Sequence, residues 1–279
     1  IAIGYGAMDD TDAGSNSNDS DHNLAIGVNS MGGTWANAKS ENNIAIGNNS
    51  LDAALDGAYY NIALGHYVFS NLTSGGSNIG IGWAALESMT TGGTNIAIGK
   101  QAMQVHTTGQ YNTAIGHGAM DDTNAGSTSL GSQHNIFIGL DAGGGTWTDA
   151  DSNRNVAIGN YTMDAATAGA LDSVAVGHYA LSSITSGDYN TALGSNAGLS
   201  ITTGGSNVVI GYLAGDTMTD TSNTVLIGKS AGQAINSSDA NYAIAIGFDA
   251  LADLTSGQGT TAIGYRALGD VTTGDYNIA

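Results

Sequence analysis

The five residues Asn95-Ile96-Ala97-Ile98-Gly99 constrain this chain more than any other feature, because they return throughout it. Asn43-Ile44-Ala45-Ile46-Gly47, Asn61-Ile62-Ala63-Leu64-Gly65, Asn155-Val156-Ala157-Ile158-Gly159 and Asn207-Val208-Val209-Ile210-Gly211 are lightly edited copies. Two branched aliphatics separated by one small residue have a period of two, which predicts a short strand. The glycine ends it, since glycine reaches backbone angles that other residues avoid. The asparagine suits a tight bend, where its amide bonds to local backbone.

The strand-ending glycine falls at 4, 27, 47, 65, 82, 99, 116, 139, 159, 177, 194, 211, 228, 247 and 264. The first six spacings are 23, 20, 18, 17, 17 and 17, and the next six repeat them in order, which sets a second period of 112 residues. Trp35 returns as Trp147, His22 as His134, and His66-Tyr67 as His178-Tyr179. One strand and one bend at short, regular intervals predict stacked coils. The expected organisation is a single continuous solenoid over 1–279, with super-repeats 1–112 and 113–224, a partial copy 225–279, and the whole a slice of a longer fibre.

After each strand, a 17-residue unit continues with Ala-Leu, a later apolar residue and a Thr-Thr-Gly bend. Ala85-Leu86 with Met89 and Ala250-Leu251 with Leu254 are examples. This return segment fits a single helical turn by its spacing, or a bent strand with a bulge. The longer coils insert residues after it, around 12–22, 35–42 and 52–60, and again at 124–134, 147–154 and 165–172, which predicts a tapering ridge.

Composition narrows function. A net charge of −19 with five Lys plus Arg disfavours nucleic acid and anionic membranes as partners. No run of apolar residues is long enough to span a bilayer. The absence of Cys removes disulfides and thiolate metal sites, and the absence of Pro suits uninterrupted ladders of stacked strands.

The run Gly-x-x-Ala-x-x-x-x-x-Thr-Gly-x-x-Asn-x-Ala-Ile-Gly resembles the head repeat of trimeric autotransporter adhesins, and similar repeats occur in phage tail fibres. The resemblance extends over the whole chain, although the adhesin coil is shorter. It implies a left-handed parallel β-roll assembled as a homotrimer.

Few residues invite chemistry. Asp9, Asp10 and Asp12 open an acidic loop that offers oxygens to calcium, but its spacing matches no calcium-loop pattern, and Asp12 becomes Asn124 in the second super-repeat. The six histidines lack partners at metal-ligand spacing. No catalytic constellation appears, so the chain reads as a non-enzyme without a cofactor. Tyr60, Tyr111, Tyr189 and Tyr276 precede the bend asparagine, and Trp83 follows a strand glycine. These aromatics either cover the coil edge or form a stacking surface for a glycan or a partner. The Thr-Thr-Gly row evokes ice binding, but adjacent threonines point to opposite sides of an extended chain.

The middle strand position is never polar, and Ala45, Ala63, Ala97, Ala114, Ala157 and Ala175 occupy it. With the two flanking aliphatics taken as the core side, these alanines form the opposite side and are assigned to an oligomer interface around a shared axis; the return segment is the other source of cover. The expected fold is all-β, a parallel β-solenoid or β-roll of 17-residue coils with short helical turns, built as a trimeric rod. The expected function is a structural fibre segment giving reach, display and adhesion at a cell surface, outside cells or on a virion, with self-association and a host-surface glycan or protein as partners. An ice- or glycan-binding solenoid is the alternative.

Overall fold

The computed structural model describes residues 1–9, 20–36, 38–121, 131–147, 150–165 and 169–279. The chain is an all-β parallel solenoid that divides into two compact units, Ile1–Ile138 and Gly139–Ala279. The first unit holds eight strands, from β1 (Ala2–Ile3) to β8 (Ile136–Ile138), and the second holds seven, from β9 (Val156–Ile158) to β15 (Thr261–Ile263). Within each unit every strand pairs in parallel with its neighbours in sequence. The unit boundary lies past the 112-residue sequence period. Of the insertions predicted to form a ridge, 12–22 and 124–134 lie mostly outside the described residues.

Strands β2 to β15 are three residues long and β1 two, and equivalent positions stack in register. In β5 (Ile79–Ile81) and β6 (Ile96–Ile98), Ile79 aligns with Ile96, Gly80 with Ala97 and Ile81 with Ile98. The middle residue points into the coil and is fully buried, while its two neighbours point outward and stay partly exposed. This reverses the orientation expected from sequence. The core lies between the small middle residues and the return segment, which contributes fully buried side chains such as Leu86, Met89 and Met103. Each of these stabilises the fold by about 1.5–3 kcal/mol.

The return segment is neither a helical turn nor a bulged strand. It is a succession of tight turns in which alternate residues take left-handed angles. Gln101 has φ 60° and Met103 φ 53°, and the same pair of positions holds Ala84 (57°) and Leu86 (54°) one coil earlier. The turns close by Gln104 N donating to Gln101 O (3.2 Å) and His106 N donating to Met103 O (3.2 Å). Between these bonds the segment bonds to the neighbouring coils, with Met103 N donating to Ala119 O and Gln101 N to Trp83 O. Left-handed angles cost a non-glycine residue about 1–2 kcal/mol, and the cost is met here by a ladder of bonds repeated in each coil. The only regular helix among the described residues is the short 3-10 turn Ser238–Ala240.

The asparagines that open the strands are buried, not exposed at a bend. Asn95 N and Nδ2 both donate to Asn78 Oδ1 (2.9 and 3.2 Å), and Nδ2 also donates to Gly109 O (2.9 Å). Asn112 repeats this with Asn95 Oδ1 and Ser132 O. An amide ladder thus runs inside the first unit and satisfies groups that burial would otherwise leave costly. In the second unit, Ser173 and Thr224 stand in the column and keep it connected through their backbone N–H groups. The left-handed bend belongs to the residue before each asparagine, such as Thr94 (59°) or Tyr111 (59°).

Candidate interaction surface

The inverted strand orientation moves the surface. Ala45, Ala63, Ala97, Ala114, Ala157 and Ala175 are fully buried within a single chain. They cannot form the oligomer interface assigned to them, because their methyl groups already face the coil's own return segment. The exposed side of the sheet carries the branched aliphatics instead. Ile46 is 38% exposed and Ile136 40% in the first unit, and Ile158 is 39% exposed in the second.

Counting from the strand-ending glycine, the outward positions lie five, three and one residue before it and one residue after it. The inner two form columns of Ile, Val and Leu, relieved by Thr113, Thr191 and Thr261. The outer two hold the aromatics. Tyr60, Tyr111, Tyr189 and Tyr276 stand on one flank and Trp83 on the other, all of them exposed. The sequence grouped these five as one surface; the strand separates them into two rows along its opposite ends.

Several rings turn their faces along the stack. Tyr111 lies on His134 at 4.8 Å between centroids and 6° between planes, and Phe248 lies on Tyr265 at 5.5 Å and 12°. Lys100 Nζ sits 5.4 Å from the Trp83 ring and Lys229 Nζ 5.3 Å from the Phe248 ring. Neighbouring coils therefore occupy many of the faces that a sugar would stack on, and the rows present ring edges and phenolic hydroxyls.

Charge is distributed unevenly. The chain has 24 Asp plus Glu, yet Asp172 is the one acid in the four outward columns. Arg154 beside it donates from Nε to Oδ1 (2.7 Å) and from Nη2 to Oδ2 (2.8 Å), which holds the Asp172 carboxyl below the usual carboxylate range. Lys100, Arg154 and Lys229, three of the five cationic residues, belong to the same columns. So do His22, His66, His117, His134 and His178; only His106 is elsewhere, buried in the core. From sequence, His22 pairs with His134 and His66 with His178 by the 112-residue period, but the five are not gathered on one face. Their common feature, the period-two offset from the glycine, was present in the sequence.

Other candidates contribute less. Asp9 is exposed, and Asp10 and Asp12 lie outside the described residues. Among the described residues no three His, Asp or Glu converge closely enough to hold a metal ion. The threonine row spends its first hydroxyl on the stack: Thr73 Oγ1 donates to Thr90 O (3.1 Å) and Thr202 Oγ1 to Thr219 O (3.0 Å). A shallow polar cavity of about 340 Å³ on the second unit is lined by Ser238, Asp239, Ser256, Gly257, Gln258 and Asp275. Asp275 Oδ1 there accepts from Gln258 N (2.9 Å). No helix among the described residues is long and apolar enough to cross a membrane. Comparison of the chain with protein-family models, curated proteins and solved structures finds no match.

Proposed function

We propose that the chain is a structural segment of a surface-exposed fibre, outside cells or on a virion, that self-associates as a homotrimer or filament and provides reach and display without catalysis. The observation that carries this reading is the way each coil is completed. Each fully described coil closes its own small core and passes its remaining backbone groups to the coils on either side, as Gly99 N does to Ile81 O (2.8 Å) and Ile96 N to Asn112 O (2.8 Å). Length is therefore added by repeating one unit, with no new core to invent. The outward aromatic rows, with their hydroxyls and ring edges, are the adhesive part of the proposal, directed at a host-surface glycan or protein.

The test is to duplicate residues 1–112. Six further coils at about 4.8 Å each lengthen a fibre segment by roughly 29 Å. Negative-stain images in which the particle gains that length support the reading. A particle that gains width and not length overturns it. The exposed tyrosine hydroxyls favour glycan binding as the second reading over ice binding, because the first hydroxyl of threonine pairs such as Thr90-Thr91 and Thr202-Thr203 is bonded within the stack. A glycan array on which the chain binds, with loss of binding in Tyr60→Ala and Tyr111→Ala, is the measurement that favours it.

A further inference from the structure

We propose that the outward strip of the sheet is the surface through which two or more copies of this chain associate, strip against strip. The proposal rests on the self-association included in the fibre reading and names its face. Three observations on the first unit carry it.

The first is the size and chemistry of the strip. Eight strands about 4.8 Å apart, each contributing seven residues at ~3.3 Å from the first outward column to the last, outline an area of roughly 700 Å². That is close to the ~800 Å² per partner of a standard stable interface. Its centre is two columns of aliphatics, interrupted in this unit at Thr113. Monomeric proteins seldom leave an apolar patch of more than a few hundred Å² in water.

The second is charge. Two copies of a chain at −19 repel one another, so any face on which they meet must be free of carboxylates. In the first unit the strip contains no Asp or Glu, although acids border it at Asp21 and Glu41. The Glu41 carboxylate is engaged by Lys39 at 2.8 Å. Segregation of acids away from this one face is what a self-contacting surface in an acidic chain requires.

The third is periodicity. The ridges of the strip repeat with the coil, so a partner can interdigitate along its whole length only if its own ridges repeat at the same spacing. A second copy meets that condition by construction, whereas an ordinary globular partner matches one or two coils at most. Side chains from two such faces pack with the sheets ~10 Å apart.

The experiment replaces Ile62, Ile79 and Ile96 together with Thr. Thr113 occupies the same column naturally, so the coil accepts threonine there. Multi-angle light scattering at about 10 µM is read alongside circular dichroism and a thermal melt. The expected result is an oligomeric parent and a triple variant that runs as a monomer, with the spectrum unchanged and the dissociation constant raised at least ~100-fold. Ile79→Lys, placing a charge at the centre of the strip, is the second variant and gives the same outcome. If the parent is oligomeric and both folded variants remain so, the strip is wrong while self-association stands. If the parent is a monomer, strip and self-association fall together.

Discussion

Leu226 and Gly232 are complementary across the coil: a methyl group on Gly232 would sit 2.8 Å from Leu226 Cδ2 and 2.9 Å from Ile235 Cδ1. The middle strand residue and the residue six positions later share one volume. Where the strand gives Ala97, the return segment gives Met103; where it gives Leu226, the return segment gives Gly232. Gly232 has φ 59°, an angle that Met103 and Leu251 also adopt at this position, so space and not backbone conformation selects the glycine.

The first prediction follows from that shared volume. Gly232→Leu alone overfills the coil and destabilises the second unit by about 1–3 kcal/mol. Leu226→Ala alone leaves a cavity and costs about 2–5 kcal/mol. The double variant recreates the Ala245 and Leu251 arrangement and is more stable than the sum of the two losses, by at least ~1 kcal/mol in a double-mutant cycle. Strict additivity in urea melts would show that the two positions do not share space.

The strand-ending glycines support a second prediction. Gly82 has φ 126°, and a methyl group there would lie 2.5 Å from Gly99 O in the next coil. Gly82→Ala meets both an unfavourable angle and a backbone collision. Gly264→Ala shares the angle, φ 137°, but its methyl would meet nothing closer than Ala267 Cβ at 4.0 Å. The strained angle alone costs of order 1–3 kcal/mol, so Gly82→Ala is expected to lose clearly more stability than Gly264→Ala in this chain. Equal melting temperatures for the two variants would remove the collision from the account.

The strand, its period and the stacking were legible because they are local and repeated. The direction of the strand was not. Ile96-Ala97-Ile98 is apolar on both sides, so alternation alone does not say which side is inside. The deciding information lay in the return segment, whose Leu86 and Met89 fill the coil and leave space only for a small middle residue. The pair Leu226 with Gly232 recorded that constraint in the sequence, and a methyl group on Gly215 would meet the same Leu226, 2.8 Å from Cδ1. The turns of the return segment were hidden for a different reason. Leu86 and Met103 do not announce left-handed angles, and Gly143, Gly198, Gly215 and Gly232 at the same position hint at them. The asparagine ladder was invisible locally, since its partners lie one coil away.

A third prediction concerns Asp164 in the second unit. Partial burial, with the Asp141 carboxylate nearby as the lesser cause, pushes its pKa up to about 6. The folded carboxyl thus holds its proton more tightly than the unfolded chain, whose value is near 3.9. Its contribution to stability is fully present below that unfolded value and is lost as pH rises through about 6. In the first super-repeat the matching residues are Asp52 and Asn29, and the Asp52 carboxyl is raised by burial without a second acid. Asp141→Asn is therefore expected to lower the Asp164 pKa and to flatten the loss of stability between pH 4 and 6. A carbon-detected NMR titration of the Asp164 carboxyl that is unchanged by Asp141→Asn would reject the coupling.

His106 sets the opposite pH dependence in the first unit. It occupies the core position that holds Met89 one coil earlier, is fully buried, and lies with Nε2 3.3 Å from Asn112 Nδ2. Burial pushes its pKa down to about 4. The folded state therefore resists a proton that the unfolded chain accepts near 6.5. Stability from this residue is intact above pH 6.5 and is lost progressively as pH falls toward 4, by at most on the order of 3 kcal/mol. Asn112 Nδ2 also donates to Ser132 O (2.9 Å), so a protonated His106 would face an amide donor in the core. His106→Met copies the neighbouring coil and removes the titrating group without emptying the site. Urea melts from pH 7.5 to 4.5 are expected to show the parent weakening across this range by about 2 kcal/mol more than the variant. Parallel curves would place the proton uptake on unfolding somewhere other than His106.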